Sequence, residues 1–493
     1  MLGPLAGCAL TGPFLPVAGG FDKTIASLSY QARVLGIRVI HAPPPPVGAM
    51  LDYQLEVPGL DPITFSIHGW SSDDTQVASE QTVQAAVGLM SVHGRGSGQA
   101  QALGVDYVST LAASLALTGA FATALGRLRG ADISRCHVSL AAAGLVGVGQ
   151  YLAGATVAQD AEQLLPGCIS AVLRPPFQSA DGVVFELETL DADPWRAFWG
   201  EIEVPPEDVA KGWRGFLMRY AKAVSPIPAS LCDALAKMAY VEIVERCRHS
   251  GVSICPVRPL AQRLDDGSLK QGLEQGPWAF TWSCATAPSR PCKGDLPLDG
   301  LSVVESCRRI QGPLAGHLLS FLGAEVVRLE LPGGDPLRGM APLADGCSVR
   351  FDALNSHKQV VEVDIKSAEG RAEVLQHVSD ADVFLHNWAP GKASELNLDQ
   401  ADLASVNPAL IYAYAGGWGR EAVPEGMPGT DFMVQAWSGV AEQIARAGAM
   451  AGGSLFTVLD VLGGVIAAQG ITAALLVRQL TGQAGRMDSS LLG

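Results

Sequence analysis

Apolar and polar positions from Asp299 onward alternate between two periods, and together they predict an α/β unit. Two segments have the 3.6-residue spacing of helices, LAGHLLSFLG and SAEGRAEVLQHVSD, and Ser367 is the expected N-cap of the second. Short apolar runs around them predict strands at LSVVES, AEVVRLE, QVVEVDI, ADVFLHN and PALIYAYAGG. Strands that alternate with helices in this way predict a parallel sheet covered on both faces.

A second pattern is a repeated segment. Residues Gln81–Leu140 and Asp431–Leu492 each contain VQA-x-x-G, a lone aspartate, a long apolar helix ending in Arg and Gly, and a strand ending in Ser-Leu. A duplicated segment of this length indicates two related structural units. The lone aspartates, Asp106 and Asp460, each stand at the start of the apolar helix.

Two interpretations fit an aspartate at the start of a helix. Aspartate is a common N-cap, because its side chain accepts hydrogen bonds from the first free N–H groups. It is also a candidate nucleophile, because the positive end of the helix would keep it ionised and nearby N–H groups could stabilise an oxyanion. The residues alone leave both interpretations open for Asp460 and Asp106.

Composition narrows the class of protein. The chain has 493 residues, of which 48% are apolar and 17% charged, and this balance predicts a large core. Its net charge of -15 argues against nucleic acid or an anionic membrane as the partner. The 10 cysteines include no C-x-x-C pair, which predicts reduced thiols in a cytoplasmic protein and no metal site. The apolar run Val461–Leu476 is shorter than the ~20 residues of a membrane span and predicts a buried helix.

Three loops follow predicted strands, where ligands of parallel sheets bind. They are Gln311-Gly312-Pro313, Pro332-Gly333-Gly334-Asp335 and Asn387-Trp388-Ala389-Pro390-Gly391-Lys392. None matches the dinucleotide fingerprint or a Walker loop. Their glycines would let backbone N–H groups approach a phosphate or a thioester, or they only form tight turns.

From Asp299 to Leu492 the sequence resembles the family III CoA-transferases, the carnitine-dehydratase-like family that also includes alpha-methylacyl-CoA racemases. The matching text, in the family's order, is DGLSVVESCRRIQGPLAGHLLSFLGAEVVRLELPGGDPLRG, HKQVVEVDIKSAEGR, ADVFLHNWAPG, NPALIYAYAGGWG, DFMVQAWSG and LDVLGGVIAAQGITAALLVRQLTG. Residues Gln81–Ala261 resemble the family's later portion, with the aspartate helix and then the small domain. The resemblance implies an α/β fold in which a Rossmann-like large domain interlocks with a small α+β domain.

Six regions follow from the patterns and the resemblance together. Residues 1–79 are rich in Gly and Pro and weakly patterned, and HAPPPPVG (His41–Gly48) is expected to be a stiff linker or loop. The other predicted regions are 80–165, the first aspartate-helix repeat; 166–282, the small α+β domain; 283–298, a linker; 299–430, the Rossmann-like CoA-binding domain; and 431–493, the second repeat.

The resemblance also implies chemistry. In the family an aspartate attacks the acyl-CoA thioester and forms a mixed anhydride, and an organic acid takes over the CoA through a second anhydride. Asp460 matches that aspartate, and Asp106 is matched to it in the first copy. The implied CoA-binding residues are Gln311 and Gly312 in the loop lining the CoA site, Asn387 and Trp388 beside the nucleotide end, and the basic residues Arg338, Lys358 and Lys392. Acyl-CoA and an organic acid are the implied partners, without a metal, in a homo-oligomer or a hetero-oligomer with a related chain.

Departures from the family leave several alternatives. Glu395 stands where the family has an arginine that meets CoA phosphate, and Lys392 is the nearby cation that could compensate. Thr430, and Ser79 in the first copy, replace the histidine of the family's racemases and disfavour a racemase. The alternatives to a CoA-transferase are a diverged lyase, dehydratase or hydrolase on the same scaffold, and a non-catalytic subunit.

The order of the regions allows two assemblies. Residues 299–493 and 136–282 together would rebuild one permuted subunit, since the chain stops at Leu492-Gly493 where the first copy continues into its small domain. Alternatively the chain is a fused pseudo-dimer whose first copy serves as a scaffold. The pseudo-dimer is favoured, and it makes Asp460 the expected nucleophile, with Asp106 the second choice.

Overall fold

Two large β-sheets, joined by a pair of long buried helices, organise the chain. A computed structural model describes residues 3–15, 20–43, 50–70, 78–157, 167–283, 290–419, 426–448 and 452–493. The first sheet has five strands and the second has seven.

The first sheet is built from the N-terminal third of the chain. Its elements are β1 (Ala9–Gly12), α1 (Asp22–Val34), β2 (Arg38–His41), β3 (Met50–Glu56), β4 (Ile63–His68), α2 (Glu80–Ala86), α3 (Leu89–Gly94), α4 (Tyr107–Leu128), β5 (Arg135–Ser139) and α5 (Leu140–Ala155). The strand order is β2-β1-β3-β4-β5, in which β3 is antiparallel to both neighbours and the other pairs are parallel.

Residues 1–79, where the sequence pattern predicted no elements, therefore contribute four strands. In β3 the alternation is visible in retrospect, since Leu51, Tyr53 and Leu55 are buried while the residues between them are exposed. Of the predicted loop His41–Gly48, the structure places His41 in β2, and residues 44–48 lie outside the described residues.

The middle of the chain forms the small α+β domain and ends in β9, a strand of the second sheet. Its elements are β6 (Phe177–Gln178), β7 (Val184–Glu188), α6 (Ala192–Glu201), α7 (Pro206–Lys222), α8 (Ala229–Leu235), α9 (Tyr240–Ser250), β8 (Ser253–Pro256), α10 (Leu260–Asp265), α11 (Ser268–Gln275) and β9 (Trp278–Ser283). β6, β7 and β8 pair antiparallel, and the aromatic residues of α6 and α7 pack together in a separate core.

The second sheet confirms the α/β prediction. Its elements are β10 (Ser302–Ser306), α12 (Gln311–Phe321), β11 (Glu325–Glu330), β12 (Leu343–Ala344), β13 (Cys347–Ser348), α13 (Val349–Asn355), β14 (Gln359–Glu362), α14 (Ala368–Val378), β15 (Val383–His386), α15 (Lys392–Glu395), α16 (Gln400–Val406), β16 (Ile411–Gly416), α17 (Asp431–Ser438), α18 (Val440–Gly448), α19 (Val458–Thr481) and β17 (Ala484–Ser490). The hydroxyl of Ser367 accepts a hydrogen bond from the N–H of Gly370, as expected of the N-cap of α14.

The order of this sheet is that of a Rossmann-like domain. The strands lie in the order β14-β11-β10-β15-β16-β17-β9, and the first six are parallel. β9 comes from the small-domain region and adds an antiparallel strand at the β17 edge. The reversal of strand order lies between β10 and β15, where the ligand crevice of such sheets is found.

The helices α4 and α19 pack against each other at the centre of the molecule. Both are apolar enough to span a membrane by composition, but 83% and 94% of their most apolar windows are buried inside the protein. The prediction of a buried helix at Val461–Leu476 is thus confirmed. Between the helices, Gln469 donates to Gln31 at 3.0 Å, and Gln31 donates to Ser114 at 3.0 Å. The two halves therefore share one continuous core.

The repeated segments have the same local structure. Gln84 and Gln435 stand 351 residues apart, and each side-chain amide bonds the acidic residue one turn earlier, Glu80 or Asp431. The same spacing relates the first residues of α4 and α19 and the last residues of β5 and β17. The structure thus aligns the two segments without insertion or deletion.

Candidate active site

Asp460 lies in the first turn of α19, beneath the small domain. It is the third helical residue, and 9% of its surface is exposed. Burial raises the pKa of its carboxyl to about 6, Glu188 adds to the rise, and Arg309 opposes it. Among the described residues, no donor forms a hydrogen bond to the Asp460 carboxylate. Its oxygens are therefore not committed to a structural role.

The structural role at the start of α19 belongs to Asp431. Its carboxylate accepts a hydrogen bond from the N–H of Asp460 at 2.7 Å and others from Leu459 and from the side chain of Gln435. Burial and the Asp460 charge raise the pKa of Asp431, and the three N–H donors oppose that rise. Because these N–H groups are taken, they cannot serve as the oxyanion donors that the sequence suggested.

The small domain reaches this site through the end of β7. Glu188 accepts hydrogen bonds from Thr430 at 2.8 Å and from the hydroxyl of Tyr220. Arg219, which is fully buried, pairs with Glu188 at 3.2 Å and with Glu186 at 3.0 Å. Burial raises the pKa of Glu186 to about 7. This charged cluster fixes the small domain over α17 and Asp460.

Arg309 supplies the positive charge of the site. It lies in the loop after β10 with φ at 68°, a left-handed conformation that is strained for a residue other than glycine. Its guanidinium lies over the ring of Tyr220 at 5.2 Å, and among the described residues it makes no hydrogen bond or ion pair. A strained, unpaired arginine beside a buried carboxylate is typical of a functional site.

The neighbouring loop holds Arg309 in place. Asn387, just after β15, accepts a hydrogen bond from the N–H of Arg308 at 2.9 Å and donates one to its carbonyl at 2.8 Å. Trp388 packs on His386 with ring centroids 4.7 Å apart. The two loops thus meet at the crevice where the strand order reverses, next to the Asp460 site.

The first half contains no carboxylate at the position that matches Asp460. The N–H groups of Val108 and Ser109 donate to Glu80 at 2.9 and 2.7 Å, as those of Leu459 and Asp460 do to Asp431. Ser109 is therefore the residue opposite Asp460.

The structure corrects the pairing of Asp106 with Asp460. Asp106 lies 351 residues before Thr457, outside the first turn of α4, and its half-exposed carboxylate pairs with Lys23 at 3.2 Å. Asp106 is not brought to any site that resembles that of Asp460.

Most of this sequence matches one family model. The model of CoA-transferase family III matches residues 58–273 and 298–493. This chain belongs to CoA-transferase family III.

Individual family III proteins match part of the chain. The acetyl-CoA:oxalate CoA-transferase of Acetobacter aceti is 34% identical over 210 residues, which cover 42% of this chain and 53% of that protein. A probable fatty acyl-CoA transferase of Mycobacterium tuberculosis is 34% identical over 199 residues, 40% of this chain and 50% of that protein. The chain thus spans about half the length of the curated relatives it matches. A crystal structure of a CAIB/BAIF family protein from Brucella suis is 32% identical, with a TM-score of 0.37, and covers 40% of this chain and 53% of that one.

Of the residues that the family III resemblance assigned to CoA, Lys358 is held in the protein core. Its ammonium donates to Glu305 at 2.7 Å, to the carbonyl of Pro313 at 2.8 Å and to Asn355 at 3.0 Å. These bonds use all three of its protons, and its side chain is fully buried. The structure thus gives Lys358 a structural role instead of a ligand contact.

The other two basic residues are also paired. Arg338 donates to both oxygens of Glu330 at 2.9 and 3.0 Å. Lys392 pairs with Glu395 at 2.6 Å on the surface. The cation proposed to compensate for Glu395 is thus bound to Glu395 itself, although a ligand phosphate could compete for such an exposed pair.

Gln311 lies against the site helix α19, and Gly312 lies against the loop after β10. The Gln311 side chain donates to the carbonyl of Gly416 at 3.1 Å, and a Cβ on Gly463 of α19 would lie 3.1 Å from its amide nitrogen. A Cβ on Gly312 would meet the Cys307 sulfur at 2.3 Å. Gln311 therefore packs beside the first turns of α19, and Gly312 allows α12 to approach the loop after β10 closely.

Several site residues were not predicted from the sequence. Glu188 and Thr430 are 242 residues apart, so no local pattern joins them. Two others had a signal in the sequence. Asp431 is an acidic residue four positions before the repeated glutamine, and Arg309 is the second of two adjacent arginines that follow a predicted strand.

Proposed function

We propose that this chain transfers CoA from an acyl-CoA to an organic carboxylic acid through an aspartyl anhydride at Asp460. The observation that carries the proposal is the buried Asp460 carboxylate, free of hydrogen-bond donors among the described residues and next to the unpaired Arg309. Membership of family III supports the reaction class. The relatives' names include transferases for oxalate, glutarate and phenyllactate, which supports an organic acid as acceptor.

The first half of the proposed reaction loads CoA on the protein. The Asp460 carboxylate attacks the thioester carbonyl, the carbon–sulfur bond breaks, and CoA leaves as a thiolate. The thiolate then attacks the Asp460 carbonyl of the mixed anhydride, and the donor acid leaves as a carboxylate. Aspartyl-CoA remains, and no proton has been gained or lost.

The second half runs the same steps with the acceptor. The acceptor carboxylate attacks the aspartyl thioester and releases the CoA thiolate, which then attacks the acceptor's carbonyl and regenerates the Asp460 carboxylate. Arg309 stands where it can stabilise negative charge on the reacting carboxylates, because its guanidinium has no other anion to bind among the described residues.

Each chain is proposed to hold one catalytic centre. Ser109 occupies the position opposite Asp460, and a neutral hydroxyl cannot form the anhydride cycle. The first half then serves as a scaffold, as in the pseudo-dimer alternative. Its contribution is the packing of α4 on α19.

Trapping the intermediate tests the proposal. The protein is incubated with acyl-CoA and then hydroxylamine, and the modified peptide is sequenced by mass spectrometry. Aspartyl hydroxamate is expected at Asp460, lost in Asp460→Asn and kept in Asp106→Asn. Modification at Asp106, or turnover that survives in Asp460→Asn, would remove Asp460 from the proposed role.

A further inference from the structure

An open groove runs along β5, the last strand of the first sheet. β5 pairs with β4 on one side, and no strand among the described residues pairs with its other side. A cavity of about 590 Å³ lies along this free edge. It is lined by Leu115, Gly119, Cys136 and Val138 of the first half and by Leu318 and Phe321 of α12.

The corresponding groove in the second half is filled. There β9 pairs antiparallel with β17, and Trp278 stands opposite Ser489. The indole N–H of Trp278 donates to the carbonyl of Ile466 at 2.8 Å, and its ring lies against Gly470, where a Cβ would be 2.6 Å away. Trp278 is almost completely buried in this position.

The residues around Trp278 have counterparts in the first half, 351 positions earlier in the sequence. Ile466 and Gly470 correspond to Leu115 and Gly119, and Ser489 corresponds to Val138. All three first-half residues line the open cavity. The space that Trp278 fills in one half is therefore the space left open in the other.

A third contact supports the same correspondence. Gly276, two residues before Trp278, lies against Val34, the last residue of α1. In the other half the last residue of the matching helix α12 is Phe321, which lines the cavity and is 56% exposed. The groove is thus continuous with the junction between the two halves, because one wall comes from each.

We propose that this groove binds a β-strand of a second polypeptide, antiparallel to β5, with a tryptophan opposite Val138. The tryptophan ring would fill the cavity and its indole N–H would bond the carbonyl of Leu115, as Trp278 does to Ile466. Backbone hydrogen bonds to β5 would supply affinity and the aromatic pocket would supply selectivity, as in other cases of strand addition. A strand that continues a sheet also removes the aggregation hazard of an open edge.

A peptide with the sequence of residues 276–283, GPWAFTWS, is the probe. The peptide carries a fluorophore, and its binding to the full chain is measured by fluorescence anisotropy. Saturable binding is expected, weakened at least about tenfold when the first tryptophan is replaced by alanine. Phe321→Glu in the protein should weaken binding by a similar factor, and Val241→Glu, exposed on α9 of the small domain, should not.

Three results would overturn the proposal. The first is no saturable binding up to about 1 mM by protein whose far-UV spectrum shows it to be folded. The second is equal binding of the alanine peptide, or binding that Phe321→Glu leaves unchanged. The third is a dimer in sedimentation experiments that the peptide dissociates, since the occupant would then be a second copy of this chain.

Discussion

Replacing Arg309 by methionine tests how this arginine controls the ionisation of Asp460. Burial and Glu188 raise the pKa of Asp460 to about 6, and the Arg309 guanidinium opposes them. Without the guanidinium the opposition is lost, so the pKa of Asp460 should rise further. A single opposite charge at close range changes a carboxyl pKa by ~1–3 units, and we expect about 1 unit here.

The consequence for the nucleophile depends strongly on pH. With a pKa of about 6, half of Asp460 is ionised at pH 6, and a rise of about one unit lowers that fraction to roughly one tenth. The nucleophilic form would therefore fall about fivefold at pH 6, about twofold at pH 7 and hardly at all at pH 8. The nucleophilic form is lost mainly at low pH, because a higher pKa keeps the Asp460 carboxyl protonated up to a higher pH.

Carbon-13 NMR of aspartate labelled at Cγ measures this pKa directly and needs no substrate. The Asp460 signal is assigned by its absence in Asp460→Asn, and its titration midpoint is compared between variants. Arg308→Met is the matched control, because Arg308 is the adjacent exposed arginine. Glu188→Gln should move the midpoint the other way, below about 6, since Glu188 raises it. An unchanged midpoint in Arg309→Met, or an equal rise in Arg308→Met, would refute the reasoning.

Three further predictions concern stability. Asp460→Asn should be more stable than wild type at neutral pH. Folding raises the pKa of the Asp460 carboxyl from 3.8 to about 6, so the wild-type free energy of unfolding falls by roughly 3 kcal/mol as pH rises through that range. Thermal melts should show the difference between the two proteins at pH 7.5 and no difference near about pH 4. Lys358→Met should lower the free energy of unfolding in denaturant by ~3–5 kcal/mol, because Glu305 and Asn355 lose a buried partner. The control Lys392→Met, at an exposed lysine, should lower it by less than ~1 kcal/mol. Weaker CoA binding at unchanged stability in Lys358→Met would contradict the structural role of Lys358. Gly463→Ala should destabilise the protein by ~1–3 kcal/mol, because the new Cβ would lie 2.3 Å from Leu491. Gly200 faces open space on α6, so Gly200→Ala should be neutral or stabilising. Equal melting temperatures of the two variants would contradict this packing.

The α/β region could be predicted from sequence because its signals are local. β10, β11 and β15 are short buried runs between turn residues, and Ser367 is a regular N-cap. The N-terminal sheet lacked such signals, since β1 and β2 have only four residues each and lie among glycines and prolines. Their pairing depends on contacts distant in sequence.

The register of the repeat shows how a chemical cue can mislead. The lone Asp106 suggested a match to Asp460, whereas the distance from Gln84 to Arg127 equals that from Gln435 to Arg478. That equal spacing already places Ser109 opposite Asp460, as the hydrogen bonds of Glu80 and Asp431 do. Glu188 and Arg219 could not be assigned in this way, because only the fold brings the small domain to α17.

The pairing of β9 with β17 also bears on how the chain is made. Ser283 and Ala484 bond across these strands although they are 201 residues apart. At a synthesis rate of ~5–20 residues per second, β9 leaves the ribosome roughly 10–40 seconds before its partner exists. During that interval the aromatic strand WAFTWS is an apolar edge without a sheet, and β5 is a free strand edge that has already been synthesised, whereas the α12 wall of its groove has not. A transient stay of β9 on β5 would shield both edges until β17 arrives.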